Sequence, residues 1–180
     1  MIEGLSALPG TINAPNNNPI TNEKIELGRT LFFDPILSGN RDVACATCHH
    51  PDFGYADGRD LSSGINGVGG GPARQGGAVI RRNAPTIINT AFNGINENRI
   101  YDPVNAPMFW DNRASGLEEQ ALLPIQDHDE MRGDQIAAED ILNVVIQRLK
   151  DITEYRNLFA NALGDGRITV QRLGQALATF

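Results

Sequence analysis

Histidine and cysteine are scarce in this chain, at three and two among 180 residues. With one cysteine pair and no second pair, four soft ligands of the kind a structural zinc site takes are hard to assemble. No apolar run approaches the roughly 18 residues that a membrane helix needs. Basic residues are not in excess: the formal net charge of −7 argues against nucleic acid or an anionic membrane surface as partner. The start, Met1-Ile2-Glu3-Gly4, has neither a basic nor an apolar leader region, so a location outside the cytoplasm requires a leader removed ahead of it. No internal repeat of about 20–50 residues occurs. What remains, 41% hydrophobic and 21% charged, suits one ordinary water-soluble domain with a buried core.

Residues 1–21 read as an extended arm, rich in Pro and Asn and without periodicity. The first helix is predicted over 22–33, with Asn22 as cap and Leu27, Leu31 and Phe32 as its apolar stripe, ended by Asp34-Pro35. A short helix over 43–50 carries the cysteines. Seven glycines fall within 64–77, which predicts a mobile loop. Ser115-Gly116-Leu117-Glu118 reads as a capping box opening a helix over 115–123. The last third is helical, with stripes that predict helices over 138–151, 153–163 and 169–180. The final helix shows no stop signal, so a partner segment is expected beyond Phe180. The fold class is mostly α, with long irregular loops.

Chemistry concentrates in Cys45-Ala46-Thr47-Cys48-His49. Two thiols three positions apart lie on one side of a helical turn and can reach the two vinyl groups of a porphyrin. The imidazole that follows can reach the iron. This is the pattern of covalent haem c attachment, with His49 as the proximal ligand. Three other readings stand beside it: a zinc site completed by His50 and His128, a thioredoxin-like redox pair, and an inert disulfide or two free thiols. His50 cannot reach the same iron and reads as a surface or outer residue. His128, in the acidic run Asp127 to Glu130, reads as solvent-facing.

Several segments resemble one family when taken in order. They are Glu26-Leu27-Gly28-Arg29 with Leu31-Phe32-Phe33-Asp34, the haem motif, Arg82-Asn83-Ala84-Pro85-Thr86, Phe109-Trp110-Asp111 with Arg113-Ala114, Leu117-Glu118-Glu119-Gln120-Ala121, Pro124 and Glu130-Met131. The chain is similar over about residues 23–180 to the N-terminal half of the bacterial di-haem cytochrome c peroxidase and MauG family. The resemblance implies a cytochrome c-like helical domain wrapped around a covalently attached haem, and a second haem in a C-terminal domain that is not part of this sequence. It implies that Glu130 is the distal acid–base group, with Gln120 and Pro124 lining the same pocket. It places Trp110 between the two haems and makes Asn83 a side-chain ligand of a calcium ion at the haem–haem interface. Haem c is attached outside the cytoplasm, so the resemblance implies the periplasm. It also admits a homodimer of the full-length protein.

One departure stands out. Typical peroxidases of that family carry a distal histidine between the haem motif and the Arg-Asn-Ala-Pro-Thr segment, whereas residues 51–127 contain none. The iron is therefore expected to be five-coordinate or water-bound, as in MauG-like members. The expected activity is reduction of hydrogen peroxide, with electrons relayed from the second haem. They would come from a small redox protein, a cytochrome c or a cupredoxin, or from a protein or organic substrate that is oxidised. The alternative is a mono-haem electron-transfer module with a methionine sixth ligand, for which Met108 and Met131 are the internal candidates.

Overall fold

A computed structural model of the chain describes residues 7–180. The arm of 1–21 thus lies partly outside the described residues, and its described part contains no helix. Seven helices follow: α1 (Asn22–Phe33), α2 (Cys45–Cys48), α3 (Gly116–Gln120), α4 (Leu123–Gln126), α5 (Ile141–Asp151), α6 (Thr153–Leu163) and α7 (Val170–Leu177). A single π-helical turn, His128–Arg132, sits between α4 and α5. Among the described residues, paired strands are two small antiparallel pairs, β1 (Gly67–Val68) with β2 (Gln75–Gly76) and β3 (Pro107–Met108) with β4 (Ala114–Ser115), besides isolated bridges at His50–Ala56 and Ser63–Val79. No described helix is long and apolar enough to cross a membrane.

The core lies where α1 packs on α6 and α7 and α5 packs on α6. Leu27, Leu31, Val145, Leu149, Phe159, Leu173 and Ala176 are fully buried there. These are the stripe residues that the helical periodicity picks out. Gly28 permits the close approach of α1 and α7, because a Cβ at that position would run into the Ala176 carbonyl oxygen. The arm is tied to the same place. Asn18 is buried, its amide donates to the Gln175 carbonyl (3.0 Å), and its oxygen accepts from the Lys24 ammonium (2.9 Å).

Several boundaries differ from the sequence reading, each for a local reason. The side-chain cap of α1 is Thr21, whose hydroxyl accepts from the Lys24 N–H (3.2 Å), and not Asn22. The helix expected over 43–50 shrinks to the four residues of α2, since His49 leaves helical geometry and His50 precedes a proline. The helix expected over 115–123 is divided. Its capping box fails at Glu118, and Glu119 reaches back instead to the Ser115 N–H (2.8 Å). Pro124 opens α4 rather than ending α3. The helix expected from 138 begins at Ile141. The helix expected over 169–180 stops at Leu177, and Phe180 turns onto Phe32, 5.1 Å between ring centres.

The glycine-rich stretch carries an organised set of hydrogen bonds that its composition does not announce. Buried Arg74 donates to the Gly64 carbonyl from Nε (3.1 Å) and Nη2 (2.7 Å), and to Gly69 from Nη1 (2.7 Å). The β1–β2 hairpin closes around that guanidinium.

Substituting Gly28→Ala forces α1 off α7. Overpacking of this kind costs about 1–3 kcal/mol, and the expected outcome is a lowered denaturation midpoint in urea with an unchanged slope.

Candidate functional site

His49 is held by two hydrogen bonds on one ring nitrogen. Its Nδ1 lies 3.1 Å from the Tyr55 carbonyl oxygen and 3.0 Å from that of Pro85. Carbonyls only accept, so Nδ1 carries the proton and Nε2 is left with its lone pair. Burial pushes the imidazole pKa down, with the two carbonyl bonds opposing. A neutral ring with a free Nε2 is the form that binds a metal ion.

The two carbonyls belong to segments that are zipped together. Thr86 donates its hydroxyl to the Gly54 carbonyl (2.5 Å), Asp57 its N–H to Ala84 (3.3 Å), and Asn83 its side-chain amide to Arg59 (2.5 Å). Ala84 in turn donates its N–H to the Ser62 hydroxyl (3.2 Å). Tyr55 adopts a left-handed backbone (φ +57°) directly after Gly54 (φ +62°). That is a costly conformation for a residue with a large side chain, and it turns the Tyr55 carbonyl back toward His49.

Cys45 and Cys48 are free thiols. Burial, aided by their mutual repulsion for Cys45 and by Asp57 for Cys48, pushes both up to about 12, so both are neutral. Together with His49 they line a cavity of about 1240 Å³. Gln120 of α3, Pro124 of α4 and Glu130 of the π-turn line the same cavity, as do Asn83 and Trp110. The volume exceeds the range of ordinary small-ligand pockets, roughly 300–1,000 Å³. Unbonded thiols three positions apart, a lone-pair nitrogen on the next residue and a cavity of this size fit a covalently held haem. Among the described residues no group of three or more His, Cys, Asp or Glu side chains converges on a metal-sized point, which the zinc reading would need.

Glu130 is half-buried, and its carboxyl pKa is pushed up to about 7. Burial is the first cause, followed by the negative charges of Asp127 and Asp129, with Arg113 opposing. Its backbone N–H, like that of Asp129, donates to the Asp127 carboxylate (3.0 Å each). The neighbouring turn is packed from outside. Ile65 donates its N–H to the Asp129 carbonyl (3.1 Å), and Gly39 donates to Met131 (2.7 Å). A side chain at Gly64 would strike the Asp129 carbonyl.

Trp110 is 67% exposed and so is no core aromatic. Its indole N–H donates to the Asn83 carbonyl (3.2 Å). The Trp110 loop is braced by Asp111, which pairs with Arg82 (2.6 Å) and Arg113 (2.9 Å), while Arg113 stacks 3.6 Å over Phe109. Met131 is buried in the main core and Met108 in a small cluster with Ala106 and Ala114. Sequence reading missed Asp57, Arg74 and the surroundings of His128. None belongs to a periodic pattern, and only the pairing of distant segments gives each its partner.

The chain matches the family model of the di-haem cytochrome c peroxidases over residues 22–180. It is 41% identical over 172 residues to the methylamine utilization protein MauG of Methylophilus methylotrophus, which spans 96% of this chain and 43% of that protein. It is 36% identical over 155 residues to the cytochrome c551 peroxidase of Pseudomonas aeruginosa, 86% of this chain and 36% of that one. A solved MauG-like protein associated with microbial copper homeostasis superposes with a TM-score of 0.73 at 27% identity, over 98% of this chain and 44% of its own. The chain therefore spans less than half the length of these relatives. It belongs to the di-haem cytochrome c peroxidase family, of mostly helical, cytochrome c-like fold, whose cofactor is haem.

Proposed function

We propose that this chain is the peroxide-handling haem domain of a peroxidase, with haem c bonded through Cys45 and Cys48 and ligated by His49. The observation that carries the reading is that a neutral His49 with a free Nε2 and a carboxylic acid poised near neutrality line one cavity. Haem, when bound, supplies the iron that passes two electrons to hydrogen peroxide. The residues do the rest. The carbonyls of Tyr55 and Pro85 orient the imidazole. Glu130 is the group that would take a proton from one peroxide oxygen and return it to the other, so that the bond between them breaks and water leaves. A pKa near 7 suits a group that must both accept and donate at neutral pH. With two electrons and two protons taken up, one peroxide gives two waters.

Gln120 and Pro124 shape the pocket beside Glu130. No histidine between residues 51 and 127 is available to close the distal position, which keeps it open to peroxide. Trp110, exposed and hydrogen-bonded to the chain segment that holds His49, lies on the electron path toward a second haem. Asn83 commits its amide nitrogen to Arg59, and its oxygen is the atom that would serve a calcium ion completed by ligands from outside this domain. Residues 22–180 form the haem domain and 1–21 the arm. Electrons come from a small cytochrome or cupredoxin, or from a protein or organic molecule that is oxidised. Because haem c is attached outside the cytoplasm, the protein works in the periplasm, and its net charge of −7 suits a basic donor.

Substituting Glu130→Gln keeps the shape of the site and removes the proton carrier. The rate of reaction with hydrogen peroxide should fall by about 100- to 10,000-fold with an unchanged haem absorption spectrum. A rate equal to that of the parent removes Glu130 from the mechanism.

The same residue makes stability depend on pH. Its folded pKa, about 7, lies above the ordinary 4.5, so the folded chain binds the proton more tightly than the unfolded one. That contribution is fully present below about pH 4.5 and is lost as pH rises through about 7. The Glu130→Gln protein should gain on the parent across this window, by roughly 3 kcal/mol at the top. Denaturation at a series of pH values measures the gain.

A further inference from the structure

The π-turn that carries Glu130 is closed by His128 in a way that only one protonation state allows. The Nδ1 of His128 lies 2.7 Å from Asp129 Oδ1, and its Nε2 lies 2.6 Å from Asp134 Oδ1. Both partners are acceptors, so both ring nitrogens must donate, and the ring must be the imidazolium. A neutral ring keeps one proton and has to drop one carboxylate. Asp129 and Asp134 stand on either side of residues 130–133, so the two bonds together staple the start of the turn to the chain beyond its end.

We propose that His128 is a positioning residue for Glu130, whose protonated ring holds the turn closed and whose deprotonation releases it. The inference rests on the acid–base role given to Glu130 above.

The charged groups around the ring agree with this. Asp129 and Asp134 hold it, and Asp127 caps the turn through the N–H groups of Asp129 and Glu130. Glu130 is the group positioned. Arg132 is committed to the carbonyls of Gln126, Gly133 and Ile136. Arg113, just ahead of β4, acts on Glu130. The loops packed on the turn, at Gly39-Asn40 and Gly64-Ile65, bring the guanidinium groups of Arg148, on the Gly39 carbonyl, and Arg74, on the Gly64 carbonyl. The carboxylates Asp134 and then Asp129 raise the His128 pKa from its ordinary 6.5. The two carboxylates thus favour the doubly protonated ring that makes the staple, and the staple is lost as the ring gives up its proton.

The pH dependence of the peroxide reaction then has two limbs with separate owners. It rises as Glu130 loses its proton, through about 7, and a falling limb belongs to the loss of the His128 proton.

The test uses the haem-loaded protein and three variants, with the rate of reaction with hydrogen peroxide followed from pH 5 to pH 10. His128→Gln should lower the rate about tenfold, roughly 1.4 kcal/mol of barrier, at pH 7.5 and abolish the falling limb. His128→Arg, a permanent cation that can bridge both carboxylates, should keep the rate and also abolish the falling limb. Asp134→Asn should shift that limb to lower pH. A falling limb that survives in both His128 variants overturns the proposal. Thermal unfolding gives an independent reading: His128→Gln and Asp134→Asn should be coupled at pH 6 and additive at pH 10, and additivity at both overturns the staple itself. If Glu130→Gln leaves the peroxide rate unchanged while that coupling is present, the acid–base role of Glu130 fails and the staple stands.

Discussion

The hydrogen bonds from His49 Nδ1 to the Tyr55 and Pro85 carbonyls are the constraint on which the rest of the site depends. They fix the tautomer, aim the free nitrogen, and require two distant segments to lie side by side. Residues 54–62 and 83–86 meet that requirement with four further bonds, none of which belongs to a helix or a sheet. The left-handed backbone at Tyr55 persists because its amide and carbonyl are both used, the amide toward His50 and the carbonyl toward His49. The hydrogen bond from Trp110 ends on Asn83 in the same segment. The exposed indole and the half-buried imidazole are thereby attached to one short stretch of backbone, residues 83–85.

A second constraint acts on the other functional group. Glu130 is held in a turn sealed on two sides by backbone bonds from Gly39 and Ile65, with its carboxyl turned toward the cavity. Desolvation there competes with the field of Arg113 and wins, which is why the acid titrates near neutrality and not in the usual carboxylate range. A π-turn is a strained element that persists at functional sites. Here it is supported by the Asp127 cap from within and by the glycine-rich segment from without. Buried Arg74 makes that segment a firm wall by taking up carbonyls that its glycines would otherwise leave unpaired.

The helical frame was legible in the sequence because burial on one face leaves a periodic trace. Leu27 and Leu31, Val145 and Leu149, and Leu173 and Ala176 all fall where the stripes put them, and α1 and α6 begin and end as expected. The haem motif was legible because its chemistry fixes spacing within a few residues. The loops were not. Seven glycines look like freedom until Arg74 is seen inside them, and a capping box written as Ser115 to Glu118 closes through Glu119 instead. His128 looked like a solvent-facing histidine, and it is exposed, but nothing in the run Asp127 to Glu130 announces that Asp134 completes its surroundings. Such pairings depend on how the chain turns between the partners, which single-residue preferences do not encode.

The central claim is that Cys45, Cys48 and His49 hold a haem whose other face is open. Its most direct test is the absorption spectrum of the oxidised protein produced with haem c maturation machinery. Mass analysis of the peptide spanning residues 45–49 accompanies it. The account predicts a haem bonded to that peptide through both sulfurs, with high-spin features from iron lacking a strong sixth ligand. A low-spin spectrum with methionine character, or a peptide free of haem despite competent machinery, contradicts it.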